Sequence, residues 1–187
     1  MREVSALHDL LEEIRLYRPA DDLESRHRDG ILELLSMPTS VASRGHYTPG
    51  HLTAGAFIVD RASRSLLLHH HRRLGRWLQM GGHFEPGESA RETALRESIE
   101  ESGLTDLAFL VPGIFDLDIH AIPAGKEPAH LHHDIRYLVE TAAPGAIVRQ
   151  AEESHDLAWF DLESAERIMN EDGSSRVIGK IADRLRE

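Results

Sequence analysis

The 187-residue chain contains no cysteine. That absence excludes disulfides, thiolate nucleophiles and cysteine-ligated zinc, and it fits a reducing, cytosolic setting. Aromatic residues are scarce, at 5%, so aliphatic side chains must do most of the packing. No run of about 18 apolar residues is present, so no membrane span is expected. The opening Met1-Arg2-Glu3-Val4-Ser5-Ala6-Leu7-His8-Asp9 mixes charge into every turn and lacks the apolar centre of a signal peptide. Positive charge is also in short supply, with 21 Lys and Arg against 32 Asp and Glu and a net charge of −11. A broad nucleic-acid binder should be basic, so nucleic acid is a disfavoured partner. A negative chain that binds phosphates must compensate locally, and a divalent cation is the usual means. What the chain does have is 41% hydrophobic residues, enough for a packed domain and an appended helical segment.

Residues 1 to about 47 read as helical. Val4, Leu7, Leu10, Leu11 and Ile14 recur at helical spacing. Pro19 interrupts, and Asp21 or Asp22 can cap a second helix carrying Ile31, Leu32, Leu34 and Leu35. The two apolar stripes suit a lid over the core or a homodimer contact; a direct role at the substrate is the sharper reading. At Thr53 the pattern changes. Residues 54–59 read as a buried strand, 60–63 as a turn and 65–69 as the returning strand. Trp77-Leu78-Gln79-Met80 is a short strand running into Gly81-Gly82. A helix is expected over 89–102, strands near 107–119, 131–142 and 157–160, and one or two helices over 161–186. Strands mixed with helices predict a layered α/β domain. There is no internal repeat, low-complexity tract or obvious linker.

The segment from Gly81 to Leu104 carries the chemistry. Its first part is a loop punctuated by Gly81, Gly82, Pro86 and Gly87. Ser89 with Glu92 three residues on forms a capping box, which fixes the helix start. Gly103 sits where a left-handed C-terminal cap belongs. At about 100° per residue, Glu97, Glu100 and Glu101 share one face of the helix. Leu95 and Ile99 fall on the opposite face and are expected to pack inward. Three carboxylates at this spacing repel one another. They form either a solvated acidic face or a site for a hard cation such as Mg²⁺ or Mn²⁺.

This stretch resembles the signature of the Nudix hydrolase family. Gly82, Glu88, Arg96, Glu97, Glu100, Glu101, Gly103 and Leu104 stand in register with its fixed positions over 23 residues. One position departs, with Ser98 where an aliphatic residue is usual. The resemblance runs over roughly residues 50–165 and implies an α/β/α sandwich around a mixed β-sheet; the domain is assigned residues 48–187, and the helices of residues 1–47 lie outside the resemblance as an N-terminal extension. It implies that Glu97, Glu100 and Glu101 hold one or more Mg²⁺ or Mn²⁺ ions, often with the Gly82 carbonyl, and that Arg96 and Glu88 orient the cluster. The reaction it implies is attack of water on a diphosphate linkage, in a nucleoside diphosphate joined to another group. Such a transfer needs charge neutralised on the phosphate oxygens and a proton taken from water by a carboxylate or imidazole. Glu152 and Glu153, just before the last strand, occupy a late loop of the kind that supplies this base or a further ligand; Glu153 is the residue favoured.

Thirteen histidines are many. His69-His70-His71, followed by Arg72 and Arg73, is either a contact for phosphate or leaving group, with Arg72 the favoured cation, or a polar strand end. His83 lies in the signature loop and is a candidate for touching substrate. His130, His132 and Asp134 alternate onto one strand face. His132 and Asp134 are candidate substrate contacts, and a His-x-His pair can also bind a transition metal. The segment, together with His69 to His83, resembles a histidine-rich subgroup of the family, and the likeness names no substrate. Asp116 and Asp118 are weaker candidates for metal or substrate. Trp77, Trp159 and Phe160 read as core. Relatives that isomerise isopentenyl diphosphate use a cysteine, which is absent here. A non-catalytic nucleotide sensor would be expected to lose signature glutamates, which are present. An RNA 5′ pyrophosphohydrolase would want a basic groove, for which only patches such as Arg72, Arg73 and Arg76 are in evidence.

Overall fold

A computed structural model describes residues 2–152 and 154–187, with side chains from residue 5 onward. In chain order the elements are α1 (Arg2–Leu16), α2 (Asp22–Leu35), β1 (Gly50–Asp60), β2 (Ser65–His71), β3 (Arg76–Leu78), β4 (Met80–His83) and α3 (Ala90–Ser102). There follow β5 (Ala108–Phe109), β6 (Asp116–Ile122), β7 (His130–Glu140), β8 (Ser154–Asp161), α4 (Leu162–Met169) and α5 (Ser174–Arg184). The α/β class expected from the sequence is what forms. The helical reading of residues 1–47 is corrected beyond Leu35: residues 36–49 hold turns and bends around Pro38 and Pro49. The strand expected over 107–119 is two strands, interrupted by bends at Pro112-Gly113. No helix among the described residues is long and apolar enough to cross a membrane.

The chain forms two compact units. The first comprises Met1–Gly55, Gly81–Ala94 and Gly113–Tyr137. Asp21 caps α2 by accepting from the Glu24 amide at 2.7 Å, which is the cap expected of a residue that satisfies an orphan helix donor. Leu10 and Ile14 of α1 and Ile31 and Leu34 of α2 are buried. Glu24 is fully buried and accepts from the Ala20 amide at 2.6 Å, the Leu117 amide at 3.2 Å and the Tyr17 hydroxyl at 2.5 Å. A buried carboxylate with so many donors is a fixed joint between α2 and β6. Within this unit β4 adds to β1 and β6 to β7. A Cβ on Gly81 would lie 2.8 Å from the Gly55 Cα and 3.0 Å from the Ala54 oxygen, so a glycine is needed where β4 crosses β1.

β6 and β7 pair antiparallel with Asp116 opposite Arg136, Asp118 opposite Asp134 and His120 opposite His132. Opposed aspartates repel. Arg136 resolves the conflict. Its Nε donates to Asp134 at 2.8 Å, one terminal nitrogen donates to Asp118 at 2.9 Å, and the other stands 3.6 Å from Asp116. All four side chains are buried. The reading of Asp116 and Asp118 as metal or substrate contacts is therefore corrected: they hold the strand pair together.

The second unit comprises Ala56–Met80, Leu95–Pro112 and Leu138–Glu187. Of the strand order β3-β2-β1-β7-β5, β2, β3 and β5 lie wholly in this unit, and β8 pairs antiparallel with β2. β1 and the first five residues of β2 are buried throughout, as a strand covered on both faces should be. Asp60 closes the β1–β2 turn by accepting from the Ala62 amide at 2.9 Å. Asp161 caps α4 by accepting from the Ser164 amide at 2.9 Å. Ala165, Met169, Val177, Ile178 and Ile181 supply buried faces of the last two helices. Trp77, Trp159 and Phe160 are half-buried rather than core; Trp77 meets Phe160 edge-on at 4.9 Å, and Trp159 donates to the Pro144 carbonyl at 3.0 Å.

Replacing Arg136 with Met leaves three buried carboxylates without the guanidinium they share, and we expect a loss of about 3–5 kcal/mol in urea unfolding. Burial alone would raise the Asp118 pKa, but Arg136 and His120 hold it well below the carboxylate range. Because the folded value lies below the unfolded value of about 3.9, its stabilisation is present above that pH and is lost on further acidification. The urea midpoint of the wild type should therefore fall more steeply below about pH 4 than that of Asp118→Asn. Parallel slopes would contradict this.

Candidate active site

α3 begins as its sequence requires. The Ser89 amide donates to Glu92 Oε2 at 2.8 Å, and the Glu92 amide donates back to Ser89 Oγ at 3.3 Å. Glu88 is fixed ahead of the helix by the Glu85 amide at 3.1 Å and the Thr93 hydroxyl at 2.8 Å. The helix ends at Gly103, whose φ of 74° is the left-handed cap expected there, and whose amide donates to the Ile99 carbonyl at 2.8 Å. A Cβ at Gly103 would also lie 2.7 Å from the Val148 side chain.

The face that α3 buries differs from the one expected. Leu95 and Ile99 are only half-buried, whereas Ala94, Ser98 and Ser102 are completely buried. Small residues at i, i+4 and i+8 permit a close approach. The departure at Ser98 thus lies in the centre of the inward face rather than on its flank, and Ser102 Oγ donates to its carbonyl at 2.5 Å. Restoring an aliphatic side chain there overpacks the contact: Ser98→Ile should lower stability by about 1–3 kcal/mol, read as a fall in thermal midpoint. A rise would show that the space exists.

The three glutamates span a gradient of exposure. The side chain of Glu100 is 58% exposed, that of Glu97 15% and that of Glu101 3%. Arg96 spans two of them, donating to Glu97 at 2.8 Å and to Glu100 at 3.2 Å. That relieves part of the repulsion. Glu101 stands 3.6 Å from His69 Nδ1, which is hydrogen-bonded to Ser154 Oγ at 2.8 Å. Burial pushes the His69 pKa down to about 4, aided by His71 and His70 and opposed by a backbone hydrogen bond to Gln79. His69 is therefore neutral near pH 7. Its role beside Glu101 was missed in the sequence; the available signal was a histidine continuing the buried run Leu66-Leu67-Leu68. Arg72 lies exposed in the β2–β3 turn. Glu153 lies outside the described residues, and Glu152 beside it is exposed.

In the first unit, Gly82 and His83 end β4. His83 and His132 are brought together, with ring centroids 5.2 Å apart, and both meet His51, at 5.0 and 4.9 Å. His51 was not foreseen. Burial lowers the pKa of all three, that of His83 to about 4. Asp134 is not part of this group: it accepts from Thr53 Oγ1 at 2.9 Å and from Arg136. A cleft of about 310 Å³ opens on the signature loop, lined among others by Leu7, Arg44, Phe84, Glu85 and Glu88.

A glycine-rich loop, a helix with a capping box and a helix end crowded with carboxylates define a class, the α/β proteins that carry a Nudix signature. This chain belongs to the Nudix hydrolase family, for the NUDIX domain matches residues 49–180. It is 31% identical over 100 residues to the asymmetrical bis(5′-nucleosyl)-tetraphosphatase of Rattus norvegicus, covering 54% of this chain and 65% of that one. The match thus spans just under two thirds of the rat protein. A probable DHNTP pyrophosphohydrolase of Lactococcus lactis subsp. cremoris is 29% identical over 162 residues, covering 84% of this chain and 90% of its own. The fold is also that of a C. elegans Ap4A hydrolase, at a TM-score of 0.58 and 20% identity, covering 72% of this chain and 97% of that structure.

Proposed function

We propose that the protein is a pyrophosphohydrolase that cleaves a diphosphate linkage in a nucleoside diphosphate joined to another group, with Mg²⁺ or Mn²⁺ as its cofactor. The observation that carries this reading is the end of α3, where Glu97, Glu100 and Glu101 share one helix face and Arg96 bridges the first two. The donor set fits a hard divalent cation. All three groups offer carboxylate oxygens, and Glu101 keeps a buried carboxylate beside a neutral imidazole. Glu97, Glu100 and Glu101 would hold the ion, which when bound supplies neutralisation of charge on the phosphate oxygens.

The remaining roles fall to the chain itself. Arg96 fixes the rotamers of Glu97 and Glu100. His69 Nδ1, bonded to Ser154, stands 3.6 Å from Glu101. Glu153 is our choice for the base that takes the proton from water. Glu88 fixes the loop that leads into α3, and Arg72 is proposed to meet the departing phosphate.

The relatives' names suggest the first compounds to try: dinucleoside tetraphosphates and a pterin triphosphate, beside nucleotide sugars, ADP-ribose and a 5′-triphosphate RNA. In a phosphatase-coupled assay with Mg²⁺ or Mn²⁺, we expect turnover of one class. Glu101→Gln should lose at least about 100-fold in kcat, on the scale of removing one preorganised charge-stabilising group, with an unchanged far-UV spectrum. Glu153→Gln should lower kcat more than KM, on the scale of about 10²–10⁴ for a lost general base. Full turnover in excess chelator, or in Glu101→Gln, would overturn the assignment.

A further inference from the structure

We infer that His51, His83 and His132 form a binding site for one transition-metal ion of the zinc class, additional to any ion held by the α3 carboxylates. One nitrogen from each ring lies within 4.8 Å of the others. The three come from separate strands: His51 from β1, His83 from the end of β4, and His132 from β7. Strands fix ligand positions more firmly than loops do, and all three lie in one compact unit. The trio contains no carboxylate, and imidazole nitrogens suit zinc, copper, nickel or iron rather than magnesium.

A second observation points to a ligand. His51 is fully buried. Its Nδ1 stands 3.1 Å from the His46 carbonyl, which can only accept, so Nδ1 carries the proton. Nε2 of the neutral ring is then a bare lone pair, and it is buried with no hydrogen-bond partner. A carbonyl that fixes the tautomer and turns the other nitrogen towards a metal is the usual support of a histidine ligand. His130 repeats the pattern. Its Nδ1 donates to the Pro128 carbonyl at 2.7 Å, its Nε2 is buried without a hydrogen-bond partner, and its ring lies 4.8 Å from that of His51. Ligands must be neutral to bind, and desolvation holds the pKa of His51, His83 and His132 below that of a free imidazole. In a loaded tetrahedral site with Zn–N near 2.0–2.1 Å the nitrogens stand about 3.3 Å apart, so loading draws the rings inward. Three protein ligands leave the fourth position to His130, to water or to a phosphate oxygen, the pattern of an open rather than a closed zinc site.

The test is binding, independent of turnover. The full-length protein is stripped with chelator and titrated with Co²⁺ in excess Mg²⁺, which keeps the carboxylates occupied. We expect one equivalent to bind with the intense visible absorption of a four-coordinate ion, and Zn²⁺ to displace it. His132→Asn and His83→Asn should each weaken Co²⁺ at least about 100-fold, since even support residues of such sites are worth 10–100-fold, and the half-buried His132 makes misfolding a separable outcome by circular dichroism. Glu101→Gln should leave the absorption intact. The inference is overturned if no such absorption develops, if it survives unchanged in both histidine variants, or if it is lost in Glu101→Gln instead.

Discussion

Three aspartates share one arginine in the strand pair β6–β7, and the first unit is organised around that sharing. Asp118 and Asp134 face each other across the ladder, a register that repulsion alone would reject. The planar fork of Arg136 reaches both, and Asp116 as well, which a lysine's single ammonium could not do. The register so fixed also sets His120 opposite His132. The position of His132 relative to His51 and His83 therefore depends on a salt-bridge network that touches none of the three. Glu24 acts likewise on the helical side, where one buried carboxylate gathers donors from the α1–α2 turn and from β6.

The carboxylates of α3 meet the same physical problem differently. Arg96 is adjacent to Glu97 and one turn before Glu100, so it compensates two of the three. Glu101, the most buried, faces a histidine that burial keeps neutral. In β6–β7 the buried acids are matched by a cation and become structural. At the end of α3 the acids differ in exposure, from the open Glu100 to the buried Glu101.

Much of this was legible because it is local. The capping box at Ser89, the cap at Asp21 and the left-handed Gly103 each follow from residue types at fixed offsets, and each forms. The buried strands of residues 50–60 and 65–69 follow from unbroken aliphatic runs. The errors arose where a pairing between distant segments decides the outcome. Asp116 and Asp118 look like a site until β7 brings Arg136 opposite. Leu95 and Ile99 look like a core face until Ala94, Ser98 and Ser102 prove small enough to let α3 pack closer on the adjacent stripe. Trp77, Trp159 and Phe160 look like core by composition, yet they sit at half-buried positions on two strands, β3 and β8. His51, and the place of His69 beside Glu101, escape for the same reason, since each sits in an apolar strand where its partners come from elsewhere in the chain.

The histidines and glutamates divide the chain's ligand chemistry by hardness. The α3 carboxylates offer oxygens. The imidazoles of His51, His83 and His132 are held neutral by burial and offer nitrogens. Neutral rings add nothing to a net charge of −11, so the compensation that a polyphosphate needs cannot come from them as they stand. It must come from arginines, such as the exposed Arg72, or from bound cations. The two donor sets would draw different ions from the same solution, because affinity at imidazole rises along the transition series while magnesium prefers oxygen.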